Sequence, residues 1–528
     1  MEPFSPHIAI LVFKWNPPLR LFPLEVEVSV EELPKVTEPN FENETADEKY
    51  HRRRWWILAV IGIAQLMVIL DGTIVNIALP TAQHALHFSN SDRQWIVTAY
   101  SLAFGSLLLL GGRISDYIGR KNALITGLVG FALASALGAA SVNFTMLVIA
   151  RTVQGAFGAL LAPAVLSLLT TTFTNPDERG KAFGIYGAIA GAGGALGLLL
   201  GGILTSYASW RWTLLVNLIF AAVAVAGAFA FLRHDQGTDH DPLDWPGVLT
   251  ATAGLFALVF GFSHAETTSW SNHYTIGSFV VAAVLLTAFA RVQTRAKFPL
   301  LPMRVVLDRN RGGSLIAMLI AGSGMFGVFL FLTYYLQETL GFSAVLTGVA
   351  FLPMVVSLSI TAQLSNIVLL PKIGPRPLIP VGMLMSAGAL LMLTHLGVSS
   401  SYLTSVFPAL VLLGLGIGLV FAPAINTATA GVEAHDAGVA SASVNTSQQV
   451  GGSIGTALLN TLAASAATSF LIGKSPTKLN VELANVHSYT SAFGYSAIIF
   501  LVGAVLTGLI LRSGAPRIPE STSPAIVH

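Results

Sequence analysis

The chain has 528 residues, 53% of them hydrophobic and only 10% charged, a balance far from that of a water-soluble domain and characteristic of a polytopic membrane protein. A formal net charge of +2, with basic residues scattered between apolar runs, excludes the concentrated basic face that a nucleic-acid partner requires. There is no cysteine, which removes structural disulfides, thiolate metal sites and cysteine nucleophiles together.

In chain order, residues 1–54 come first and combine prolines with an acidic stretch from Glu25 to Glu48. The apolar piece IAILVF is too short for a span or a signal segment, so a disordered cytoplasmic tail is expected there. No methionine separates Met1 from Met67, which is also the pattern of an over-extended start. Crossing the hydrocarbon takes about 20 apolar residues. About fourteen such stretches follow, beginning near Trp55, Trp95, Ala123, Phe144, Ala182, Trp212, Trp245, Tyr274, Gly312, Ala344, Pro377, Leu403, Ala437 and Tyr489. An even number places both termini on one side. The loops HRRR (His51 to Arg54), GRISDYIGRK (Gly112 to Lys121), DERGK (Asp177 to Lys181) and PKIGPR (Pro371 to Arg376) fall on one alternating set, while SVNF and SSSY on the other carry no Lys or Arg. Basic loops stay in the cytoplasm, so both ends are expected there, in a multi-pass protein of the cell membrane.

Internal echoes suggest a duplication. Ile118-Gly119 precedes Gly127 by the interval at which Ile373-Gly374 precedes Gly382. Gly158 precedes Ala162-Pro163 as Gly418 precedes Ala422-Pro423, and GGALG (Gly193 to Gly197) is answered by GGSIG (Gly451 to Gly455). The expected fold class is therefore an all-α polytopic membrane protein. It comprises a six-helix bundle over 55–232, a linker with two extra transmembrane helices over 233–311, a second six-helix bundle over 312–511, and a short cytoplasmic tail over 512–528. Paired bundles facing a midplane site are a transporter architecture.

Charge inside the spans marks the candidate site. In LMVILDGTIVNIALP, Asp71 occupies a position where leucine would serve, although a mid-span aspartate costs about 2.5–3.5 kcal/mol on insertion scales. It can act as a proton carrier, protonated as its cavity opens to one side and deprotonated when a cation or Arg151 approaches, or it can be fixed in a permanent pair with Arg151. Arg151, in RTVQG (Arg151 to Gly155), should face a polar cavity or a carboxylate unless it snorkels to the interface, and Gln154 adds a second polar group to its face. Asn76 belongs with them. In GGRISDYIGRK, glycines such as Gly112 and Gly119 allow a tight turn, Asp116 can sit against the positive end of a helix in the opposite half, and Arg120 and Lys121 hold the loop in the cytoplasm.

That loop matches the pattern Gly-x-x-x-Asp-x-x-Gly-Arg-Lys of the major facilitator superfamily, with Gly112, Arg113, Asp116, Gly119, Arg120 and Lys121 in its conformational switch. RTVQG resembles the Arg-x-x-Gln-Gly motif of proton-coupled members. LDGTIVNIALP, SWRWTLLVN, YYLQETLGFSAVLTGVAFLP and SVNTSQQVGGSIGTALL are similar to the fourteen-span drug:proton antiporter group of the EmrB/QacA type. The resemblance covers nearly everything from Trp55 to Arg512. It implies the major facilitator fold and proton-coupled efflux of an amphipathic drug or secreted metabolite by alternating access, with Asp71, Arg151, Gln154 and Asn76 in the coupling and substrate pathway. The implied partners are a small lipophilic substrate, cationic or neutral, protons and the bilayer, with no cofactor, no metal and a monomer sufficient. One position departs: where the group carries Gly-Pro-x-x-Gly-Gly in span 5, this chain has Gly197, Leu198, Gly201 and Gly202 without the proline. Gly193, Gly197 and Gly201 still share one helix face, suited to close packing between spans.

Other features point nowhere specific. Gly473-Lys474-Ser475 lacks the upstream glycine and the strand of a phosphate loop. His84 and His87 have metal spacing but no third ligand and belong in a solvated external loop, and Glu266, His264 and His273 read the same way. His395 reads as interfacial. Asn217, Asn426, Asn445, Gln448 and Gln449 either line a cavity or bond neighbouring helices. A facilitator or symporter of a physiological solute is the alternative within the same fold. A membrane-embedded enzyme on a lipid-linked substrate is a further class, for which no acid/base or metal constellation stands out, and a sensor or scaffold would bring a folded soluble domain.

Overall fold

The computed structural model describes residues 41–88, 90–233, 243–433, 436–475 and 477–514, and no strand occurs among them. The first half contains α1 (Phe41–Leu86), α2 (Asn90–Ile118), α3 (Arg120–Ala139), α4 (Phe144–Thr172), α5 (Pro176–Tyr207) and α6 (Trp212–Phe231). Two further helices follow, α7 (Trp245–Thr267) and α8 (His273–Arg295). The second half begins with α9 (Arg309–Tyr334) and continues with α10, an interrupted span made of Ala344–Ala350, Leu352–Leu364 and a π-helical turn at Ser365–Leu369. It is completed by α11 (Pro375–Leu393), α12 (Phe407–Thr429), α13 (Ala437–Leu471) and α14 (Lys478–Ile510). Among the described residues 13 helices are long and apolar enough to span a membrane, and the 32-residue α5 lies between two of them. Helices are the expected form, because a backbone in hydrocarbon must satisfy its own hydrogen bonds.

Boundaries follow local chemistry. The Asn143 side chain accepts from Met146 N at 2.9 Å and starts α4, while Asp308 Oδ1 accepts from Asn310 N and Arg311 N at 3.0 Å and starts α9. Two differences from the sequence reading concern helix ends. α1 begins at Phe41, so residues 41–54, expected at the end of a disordered tail, carry helical backbone. α14 begins at Lys478 rather than near Tyr489, because a polar helical run continues beyond the length the hydrocarbon requires. The expectations for residues 1–40 and 515–528 lie outside the described residues.

All three sequence echoes occupy equivalent places in the two halves. Gly119 (φ 87°) turns the chain between α2 and α3, as Gly374 (φ 76°) does between α10 and α11, a left-handed conformation that suits glycine. Pro163 lies inside α4 and Pro423 inside α12. A Cβ at Gly158 would meet Phe104 of α2, and one at Gly418 would meet Leu358 and Thr361 of α10. Gly193 and Gly197 of α5 pack against Ile69 and Thr73 of α1, and Gly451 and Gly455 of α13 against Leu319 and Ser323 of α9. The paired echoes thus fall eight helices apart, in α4 and α12, in α5 and α13, and at the turns after α2 and α10. The inserted pair, α7 and α8, pack on each other, and α7 also rests on α2 and α13.

Candidate functional site

Asp71 is fully buried in α1, at 0% exposure. Its Oδ2 accepts from Arg151 Nη1 at 2.6 Å, and its Oδ1 from Gln154 Nε2 at 2.7 Å and Asn217 Nδ2 at 2.8 Å. The same Arg151 Nη1 donates to Gln154 Oε1 at 2.6 Å, and Ser135 Oγ accepts from Gln154 Nε2 and Asn217 Nδ2 at 2.5 and 3.0 Å. The Arg151 guanidinium lies over the Tyr100 ring, 4.3 Å from its centre. Five of the six first-half helices therefore contribute to one polar cluster around Asp71: α4 and α6 bond the carboxylate of α1, and α2 and α3 contact those partners. Three donors converge on Asp71, two on Oδ1 and the charged one on Oδ2.

The loop between α2 and α3 forms a second centre. Asp116, 2% exposed, accepts from Gly438 N in the first turn of α13 at 3.1 Å, so a carboxylate of one half meets the positive end of a helix of the other. A Cβ at Gly112 would strike Gly438 and Ala442, so the two backbones are in contact there. Arg113 and Arg120 are buried within electrostatic reach of Asp116. Arg120 Nε donates to Ser167 Oγ at 2.8 Å, and Lys121 Nζ to Leu232 O at 2.6 Å, tying the loop to α4 and to the end of α6. In α5, Gly193, Gly197 and Gly201 face Ile69, Thr73 and Ile74 of α1, and Gly202 is buried. Asn76 lies in α1 and Leu198 in α5, and the side chains of both fall outside the described residues.

Residues 61–456 match the profile of the Major Facilitator Superfamily. The chain belongs to the major facilitator superfamily. Within the superfamily it falls in the drug-efflux group and is a transporter, not an enzyme. It is 46% identical over 476 residues to a puromycin resistance protein of Streptomyces alboniger, covering 90% of this chain and 94% of that one. It is 34% identical over 471 residues to a cephamycin export protein of Amycolatopsis lactamdurans, covering 88% and 93%. The crystal structure of the human organic anion transporter MFSD10 shares its fold, with a TM-score of 0.57 at 15% identity over 86% of this chain and 99% of that one.

In this transporter, sequence reasoning selected Asp71, Arg151 and Gln154, which the structure brings together, but left Asn217 undecided and passed over Ser135 and Tyr100. Arg179 was read only for topology. It is buried, and its Nε donates to Asn426 Oδ1 and its Nη2 to Thr429 Oγ1, both at 2.9 Å, joining α5 to α12 across the halves. Signals were present for two of these: Asn217 closes the quoted SWRWTLLVN, and Arg179 sits at the mouth of a span. The exposed His84 stands in the last turn of α1 rather than in a loop, and the exposed His87 follows that helix in a left-handed turn.

Proposed function

We propose that this transporter expels small lipophilic molecules, cationic or neutral, in exchange for protons, by alternating access and with Asp71 as the proton-carrying group. The observation that supports the reading is the setting of Asp71: fully buried, it holds Arg151 on Oδ2 through a charge-assisted bond, which neutralising the carboxylate with a proton would weaken. Protonation would free Arg151 and loosen the junction of five helices, and deprotonation would restore it. The names of the relatives support export of bioactive compounds, and puromycin is the first probe to try. Both termini face the cytoplasm in this reading, the gradient replaces any cofactor, and a monomer suffices. The Asp116–Gly438 and Arg179–Asn426 contacts then hold the cytoplasmic side shut.

The test is uphill puromycin transport in proteoliposomes with an imposed proton gradient, with and without a protonophore, for the wild type and Asp71→Asn. The variant should insert and bind a neutral substrate yet fail to concentrate anything. Wild-type uphill export by Asp71→Asn would place the proton elsewhere. Gradient-independent equilibration by the wild type would favour a facilitator, the reading that the missing proline at Leu198 leaves open.

A further inference from the structure

A cleft of about 510 Å³ opens where α7 begins and α8 ends, away from the Asp71 cluster, and Arg291, Arg295, Lys297 and Phe298 line it with Leu243 and Asp244. Arg291 and Arg295 are four residues apart and share one face of α8. Among the described residues no carboxylate lies within ion-pair distance of these three cations, and the neighbour recorded for Lys297 is the Phe298 ring, 5.2 Å from Nζ to its centre. Asp244 also lines the cleft, one carboxylate against three cations, and it is held in place by protein N–H donors. Its Oδ1 accepts from Gly247 N at 2.9 Å, and its Oδ2 from Gln293 Nε2 at 2.7 Å and Leu300 N at 3.4 Å. The cleft is thus a cationic pocket with the N-terminus of α7 on its wall.

Its position relative to the bilayer is legible from packing. Thr98 near the start of α2 meets Ser263 near the end of α7 at 3.1 Å, so α7 runs opposite to α2 and its first turn lies level with the end of α2, where the Asp116 loop begins. Leu109, Val248 and Val439 share one apolar cluster at that level. α8 is the least buried of the 13 candidate spans, with 17% of its most apolar window covered by protein, so its outer surface faces acyl chains. Trp245, 60% exposed, stands beside the cleft as an amphipathic ring at a membrane boundary does. Cations at that depth, beside an apolar wall and an interfacial aromatic, fit a group with a phosphate at one end and hydrocarbon at the other.

We propose that this cleft seats the headgroup of an anionic membrane lipid, with Arg291, Arg295 and Lys297 on the phosphate and the acyl chains lying along α8. The site is separate from the proton-coupled reading, and its test reads lipid retention rather than transport. The full-length protein in detergent is incubated with phosphatidylglycerol or phosphatidylcholine of identical chains, and retained lipid is counted by native mass spectrometry. The wild type should retain phosphatidylglycerol in preference. The triple variant Arg291→Gln, Arg295→Gln, Lys297→Gln should lose affinity about fivefold per charge removed, on the order of 100-fold in all. Arg291→Lys with Arg295→Lys should keep most of the preference, and Lys372→Gln, an exposed cation on another basic loop, should keep all of it. Excess glycerol phosphate should not displace the lipid. Equal retention of both lipids by the wild type, undiminished retention by the triple variant, or displacement by glycerol phosphate would each overturn the proposal. A preference that emerges only when Asp235, Asp239 and Asp241 are changed to Asn would overturn it too, since the acidic segment ahead of α7 would then be the occupant.

Discussion

Arg151 Nη1 serves two acceptors, Asp71 Oδ2 and Gln154 Oε1, and among the described residues Arg151 Nε has no hydrogen-bond partner. The pair is therefore held by one nitrogen within a polar network instead of by a closed two-pronged fork, a geometry that one proton can disturb. Buried pairs add little net stability, but removing one partner strands the other. Arg151→Leu should accordingly destabilise the purified protein by about 3–5 kcal/mol in thermal unfolding, while Arg151→Leu combined with Asp71→Asn should recover most of that loss. A double variant no more stable than Arg151→Leu would mean that Arg151 acts through its packing on Tyr100. Charge made the centre of this site visible in the sequence, because Asp71 and Arg151 are conspicuous in apolar runs. Ser135, Asn217 and Tyr100 were not, because small polar and aromatic residues are common in spans and gain their meaning only when five helices converge.

Among the elements, α2, α5 and α13 carry the conformational argument. Asp116 at the end of α2 accepts a backbone N–H from the first turn of α13, so its charge acts on the contact between halves and not on a substrate at the level of Asp71. Asp116→Asn should reduce transport several-fold while leaving puromycin binding to purified protein nearly intact, as equilibrium binding beside flux will show. Equal losses in both would assign Asp116 to the binding site. Helix α5 runs 32 residues with proline only at its first position, and its glycines lie against α1. Leu198→Pro removes an intrahelical hydrogen bond and bends that contact, so the proton-to-substrate ratio in proteoliposomes should change. An unchanged ratio in a folded variant would make the departure from the motif neutral. Hydropathy located the spans, since each must bury about 20 residues in hydrocarbon. It could not place helix ends such as Phe41 or Lys478, where polar helices extend past the apolar core and capping and packing decide.

On the scale of the whole molecule, the echoes at Gly119 and Gly374 and at Pro163 and Pro423 were legible because glycine and proline mark backbone geometry directly. The contacts between halves were not, because they join residues such as Arg179 and Asn426 that lie 247 positions apart. Those contacts lie on the face of the basic loops. Asp116 meets α13, Arg179 meets α12, and a Cβ at Gly180 would touch Asn366 of α10. If that face is cytoplasmic, reporter fusions after Lys121, Lys181 and Arg376 should read cytoplasm, and fusions after Ser141 and Ser400 the exterior. The natural absence of cysteine allows a direct test of the closure. Ala442 is fully buried against Gly112 between the halves, so Ala442→Cys places a single thiol in the seam with little added volume. Arg179→Gln removes a charged donor from Asn426 and Thr429, and losing even one such bond, worth about 1.5 kcal/mol, shifts a two-state balance about tenfold. A membrane-impermeant maleimide supplied from the cytoplasmic side should therefore label Ala442→Cys about ten times faster in the Arg179→Gln background, with no gain when it is supplied from outside. Faster labelling from the exterior would invert the topology. An unchanged rate on both sides would mean that Arg179 braces α12 without holding the two halves together.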